Sequence, residues 1–161
     1  MARMRTILFL CTGNTCRSPM AEAIARHALD HGEVAGVVGT VFVASAGVAA
    51  GEGSPMSDEA VEALEALGIQ HHGTSKPVTA DMLRKADRVL AMTESHRNSA
   101  RRLLGHDEAA KARVELLDPQ GDVEDPIGLG SNTYLVLAKR LRKLIPKRLS
   151  EVLIEHASRS K

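Results

Sequence analysis

The chain has 161 residues, is 43% apolar and 25% charged, and carries a net charge of +1. That length suits one domain, residues 1–161, built round one core. The near-neutral charge and the scarcity of aromatics (Phe9, Phe42 and Tyr134) argue against a nucleic-acid partner. No apolar run is long enough to span a bilayer, and the start of the chain lacks a signal-peptide core, so no membrane partner is expected. Both cysteines lie in one loop, too few and too clustered for a disulfide framework, so the expectation is a cytoplasmic protein, working as a monomer.

Thr6 to Leu10 is a continuous apolar run that ends in a glycine-containing turn, the mark of a strand buried on both faces. Ser18 to His31 reads as a helix, with Pro19 in its first turn and Met20, Ala23, Ile24 and Ala28 along one side. Val37 to Ala44 is Val-rich and reads as a second strand; Gly51 to Ser57 is a loop. Ser57 or Asp58 caps a helix through Leu67, which Gly68 ends. Thr79 caps a short helix containing Met82 and Leu83. Asp87 to Met92 is a third strand, Thr93 opens a helix towards Leu104, and Val114 to Leu117 is a fourth strand. Leu117 to Ser131 is the longest irregular segment and holds two Asp-Pro pairs, and a loop of that length in a compact domain is usually functional. A terminal helix runs from Asn132 to about His156, with a kink expected at Pro146. Its basic residues Lys139, Arg140, Arg142, Lys143, Lys147 and Arg148 read as a solvated face. Strands alternating with helices give an α/β fold: a single-domain, open, four-stranded parallel sheet with helices on both faces.

The chemistry is concentrated in Cys11-Thr12-Gly13-Asn14-Thr15-Cys16-Arg17-Ser18, between the first strand and the first helix. A tight turn leading into a helix N-terminus gathers backbone N–H groups round one point and favours an anion there. A cysteine opening that turn sits in the same field, which favours the thiolate nucleophile. An arginine at a helix start is electrostatically misplaced unless an anion sits beside it, and its planar fork matches two phosphoryl oxygens. Gly13 lets the backbone approach closely, and Asn14 tolerates a left-handed conformation. Ser18 is placed to hydrogen-bond the Cys11 sulfur or to cap the helix, two compatible roles. Cys16 is either a partner for oxidised Cys11 or a small packing residue. Ligands in such folds bind beyond the carboxyl ends of the strands, which is where this loop lies.

The stretch Leu8-Phe9-Leu10-Cys11-Thr12-Gly13-Asn14-Thr15-Cys16-Arg17-Ser18-Pro19-Met20-Ala21 resembles the low-molecular-weight protein tyrosine phosphatase family. Its Thr-Gly-Asn-Thr-Cys-Arg-Ser wording resembles the protein-arginine-phosphatase branch, where the tyrosine branch has Ile in place of Thr15. Ser45-Ala46-Gly47-Val48, Val89-Leu90-Ala91-Met92-Thr93 and Asp125-Pro126-Ile127-Gly128 follow in family order. The resemblance implies that Cys11 attacks phosphorus, that Arg17 holds the phosphoryl oxygens, and that Asn14 and Ser45 support the loop. It also implies that Asp125, rather than Asp118 of the other Asp-Pro pair, is the general acid. Thr12, Gly13, Asn14, Thr15, Cys16 and Ser18 would line the substrate, and Thr15 would set its identity.

Two departures stand out. Ile127 occupies the place where many relatives carry an aromatic, which disfavours a phenol ring as substrate. The supporting histidine of relatives aligns with Gly73, beside His72. Adjacent His71 and His72 point different ways and no carboxylate cluster accompanies them, so no metal and no cofactor is expected. The expected function is a cysteine-dependent phosphatase acting on phosphoarginine in proteins through a phosphocysteine. A phosphotyrosine phosphatase and a non-catalytic phosphate-binding module are the alternatives. A thiol-dependent arsenate reductase would need redox cysteines outside the loop.

Overall fold

A computed structural model describes residues 4–71 and 73–159. Strand β1 (Arg5–Cys11) is followed by α1 (Arg17–Asp30), β2 (Val41–Gly47), α2 (Asp58–Ala66), α3 (Ala80–Lys85) and β3 (Arg88–Ala91). Helices α4 (Glu94–Leu104) and α5 (Glu108–Lys111), strand β4 (Val114–Leu116) and helix α6 (Ser131–Arg159) complete the order. The four strands pair in parallel in the order β2-β1-β3-β4, so β1 is central and the chain reverses direction across the sheet between β1 and β3.

Alternation along β1 explains why its sequence is a continuous apolar run. Ile7, Phe9 and Cys11 face the core shared with α1, α2 and α6, which contains Met20, Ile24, Leu64, Leu141 and Ile145. Leu8 and Leu10 face the opposite layer, which contains Leu83, Ala100, Leu104 and Ala110. A strand covered on both faces has no solvent side on which to place polar residues.

Helix starts follow the sequence: Ser57, Thr79 and Thr93 each accept a bond from the backbone N–H three residues on. The second strand differs. Expected at Val37 to Ala44, it begins only at Val41, because Gly36 and Gly39 take left-handed conformations with φ of 76° and 87°. It then runs on to Gly47, pairing residue for residue with β1 from Arg5↔Val41 to Cys11↔Gly47. The four-residue helix α5, capped by Asp107, was not expected. Helix α6 starts at Ser131 and stays helical past Pro146. Its basic face is only partly solvated: Arg148 is buried and donates to the carbonyls of Leu116 and Leu117, while Arg140 and Arg142 pair with Asp118 and Glu33. No helix among the described residues is long and apolar enough to cross a membrane.

Candidate active site

The Cys11 loop leaves β1 at its carboxyl end, at the point where strand order reverses. Cys16 is the N-cap of α1 and supplies no side-chain cap, and the first helical bond joins Met20 N–H to the Cys16 carbonyl. Among the described residues, the backbone N–H groups of Gly13 to Ser18 donate to no other protein group. A row of free donors at a helix start is what an oxyanion requires.

The loop is held from beneath. Asn14 has a φ of 56°, the left-handed conformation expected of it. Its Nδ2 donates to Ser18 Oγ at 2.8 Å and Ser45 Oγ at 3.0 Å, and its Oδ1 accepts from Lys76 N–H at 3.0 Å. Ser45 in turn donates to Glu22 Oε1 at 2.9 Å. The second Glu22 oxygen meets Arg26 at 2.9 Å and His71 Nε2 at 3.5 Å. A histidine in contact with this network is thus supplied by His71, two residues before Gly73, the position indicated by sequence; His72 lies outside the described residues. Gly47 completes the support. A Cβ built there would overlap the Thr12 carbonyl oxygen and lie 3.1 Å from Asn14 N, so no other residue fits beneath the loop as it stands.

Cys11 Sγ lies 2.9 Å from Ser18 Oγ. Ser18 therefore turns towards the sulfur, and the capping role is not realised, since the cap position falls to Cys16. Arg17 opens α1, but the residue is only 5% exposed and its guanidinium folds back over the loop. It donates from Nη1 to the Val123 carbonyl at 3.1 Å and from Nη2 to Thr12 Oγ1 at 3.4 Å. Asp125 Oδ2 lies 3.6 Å from Nη2, while Oδ1 accepts from Ile127 N–H at 3.0 Å. More than a hundred residues separate Asp125 from the loop in sequence, yet the fold brings them side by side. Asp118 is engaged elsewhere: Arg140 Nη2 sits 2.8 Å from it and, with the Gln120 N–H, holds its carboxyl below the usual carboxylate range.

Thr15 is half-buried, and its hydroxyl is 3.8 Å from where a Cβ on Gly13 would stand, so it is turned along the loop. Ile127 is 64% exposed. Cys16 is buried in the core, and burial, with the neighbouring Cys11 and Asp125, pushes its thiol up to about 12. It is therefore a thiol at neutral pH, which favours its packing role over attack on an oxidised Cys11. Tyr134 is buried beside it, and its phenol is pushed above its ordinary pKa mainly by burial. Both cysteines are free, and among the described residues no cluster of His, Cys, Asp and Glu could hold a metal.

One residue at the site carried no sequence signal. His96 is buried, with Nε2 2.8 Å from Thr12 Oγ1 and Nδ1 3.1 Å from Thr93 Oγ1. Burial and the Arg17 charge, opposed by Asp122 and Asp125, push it down to about 4. The unfolded chain takes up that proton near the ordinary 6.5, the folded protein only near 4. The neutral ring's contribution is complete above pH 6.5 and is lost as the pH falls towards 4, a total of about 3 kcal/mol. Urea midpoints measured through that window should fall more steeply for the native protein than for His96→Gln.

A thiol, a buried arginine and a carboxylate converging on a ring of free amides define a cysteine-dependent phosphatase. The chain belongs to the low molecular weight phosphotyrosine protein phosphatase family, whose pattern it matches over residues 6–158. It is 36% identical over 141 residues to a protein-arginine-phosphatase of Bacillus subtilis, covering 86% of this chain and 91% of that protein. It also resembles a solved YwlE arginine phosphatase, a Cys-to-Ser mutant with a phosphorylated active-site serine, at a TM-score of 0.81 and 34% identity, covering 92% of this chain and 95% of that one. A low molecular weight protein tyrosine phosphatase from T. tengcongensis is 38% identical at a TM-score of 0.77, covering 91% and 98% of the two chains. Overall identity therefore does not separate the two substrates.

Proposed function

We propose that this protein hydrolyses phosphoarginine in proteins through a phosphocysteine. The observation that carries the reading is the convergence of Cys11, Arg17 and Asp125 on one loop. The Cys11 thiolate attacks phosphorus as the P–N bond breaks, and Asp125 gives its proton to the departing guanidine nitrogen. Asp125, now a carboxylate, takes a proton from water, whose oxygen displaces the thiolate and releases inorganic phosphate. Arg17 and the free amides of residues 13–18 hold the equatorial oxygens through both steps. Ser18, 2.9 Å from the sulfur, donates to the thiolate while it is the nucleophile and again when it is the leaving group. The two free cysteines fit a reducing compartment, supporting a cytoplasmic location.

Substrate choice rests on Thr15 and Ile127. A threonine hydroxyl can hydrogen-bond a guanidinium or order water, where an isoleucine methyl cannot. An exposed Ile127 offers no ring to stack on a phenol. Phosphate release from a phosphoarginine protein and from a phosphotyrosine peptide, measured in parallel with Cys11→Ser as blank, tests this. The expected result is preference for phosphoarginine, shifted towards phosphotyrosine by about tenfold or more in Thr15→Ile. Preference for phosphotyrosine in the native protein would keep the chemistry and overturn the substrate.

A further inference from the structure

We propose that His96 is a positioning residue for Arg17, acting through the Thr12 hydroxyl. His96 stands in the first turn of α4, the helix that follows β3, and β3 is the neighbour of β1 on the side away from β2. That placement sets the imidazole against the cradle from the side opposite Asn14 and Ser45. Both ring nitrogens are occupied: Nε2 faces Thr12 Oγ1 at 2.8 Å and Nδ1 faces Thr93 Oγ1 at 3.1 Å. Thr93 is itself fixed as the cap of α4, accepting from the His96 N–H at 3.3 Å. The ring is thereby clamped to a helix terminus and presents one nitrogen to the loop.

Proton accounting gives the chain a direction. Arginine only donates, so Thr12 Oγ1 accepts from Arg17 Nη2, at 3.4 Å, and keeps its own proton to give. With His96 neutral and its proton on Nδ1, donated to Thr93, Nε2 accepts from Thr12. Thr12 is exposed at the loop mouth, where a threonine hydroxyl is otherwise free to rotate. Fixed by His96, it fixes one edge of the guanidinium, while the Val123 carbonyl fixes Nη1 at 3.1 Å. Val123 is anchored in turn by its N–H to the Met92 carbonyl at 2.7 Å, at the end of β3. The arginine that must meet two phosphoryl oxygens is therefore held at both amino groups by structure radiating from one strand end. His96 touches no reacting atom; its effect passes through Thr12.

The inference rests on the phosphatase reading of the loop, and its test separates the two. His96→Asn can reach Thr93 but not Thr12, whereas His96→Gln places an amide where Nε2 stood. These variants, Thr12→Val and the double variant Thr12→Val with His96→Asn are compared, each with its melting temperature. Turnover of p-nitrophenyl phosphate and affinity for inorganic phosphate by calorimetry are the two readouts. We expect His96→Asn and Thr12→Val each to lower kcat/KM and phosphate affinity about tenfold. The double variant should be no worse than either single one, and His96→Gln should stay within about threefold of the native protein. Multiplying losses in the double variant, or a His96→Gln as impaired as His96→Asn, would overturn the proposal, as would a fall in melting temperature with kinetics and affinity unchanged. Should the native protein turn nothing over, the phosphatase reading fails, and the same pattern in phosphate affinity still decides for or against His96.

Discussion

Serine in place of Cys11 is expected to lower turnover by about 10^4-fold or more while leaving inorganic phosphate bound. The reason is local. Among the described residues, the side chain hydrogen-bonded to the sulfur is that of Ser18, a hydroxyl 2.9 Å away and not a base. Sulfur is intrinsically the better nucleophile, and a hydroxyl there has no group to take its proton. The free N–H groups and Arg17 are unchanged by the substitution, so the anion site survives. Steady-state release measured beside phosphate calorimetry reads both properties. Retained turnover in Cys11→Ser would remove the cysteine from the chemistry.

Asp125→Asn is expected to lower turnover of phosphoarginine by about 10^2- to 10^4-fold, the range of a lost general acid. The loss should depend on the leaving group. A nitrophenolate leaves without a proton, so the first step tolerates asparagine, but the second step still lacks a base for water. Rapid mixing of Asp125→Asn with p-nitrophenyl phosphate should therefore show a stoichiometric burst of nitrophenol followed by a slow phase, with phosphocysteine accumulating. Asp118→Asn is the matched control. Its carboxylate is committed to Arg140 at 2.8 Å, so its loss should leave kcat within about twofold. An inactive Asp118→Asn beside an active Asp125→Asn would reverse the assignment.

What could be read from sequence follows the reach of each signal. The Cys11 loop, the caps at Ser57, Thr79 and Thr93, and the apolar run of β1 are local, so their chemistry is written in adjacent residues. The parallel sheet follows from the alternation of strands and helices. Asp125 was legible only through its place after the resemblance was drawn, since its approach to Arg17 depends on the whole fold. The start of β2 was misplaced because valines at 37, 38 and 41 look alike, and only the backbone at Gly36 and Gly39 decides where extension begins. His96 and His71 were not legible as to role. Each acts through side chains from distant elements, Thr12 in one case and Glu22 in the other, and no spacing records that.

The close contact at Gly47 bears on how such a site could be moved. The loop's curvature is cast against a neighbouring strand: Val48 and Ala49 donate to the carbonyls of Cys11 and Thr12 at 2.9 and 3.0 Å, and position 47 leaves no room for a methyl group. A transplanted Cys11–Ser18 segment would arrive without its mould. Any scaffold meant to receive it must also bring a bare backbone position alongside, one strand over, which makes the portable unit two adjacent strand ends and not eight residues.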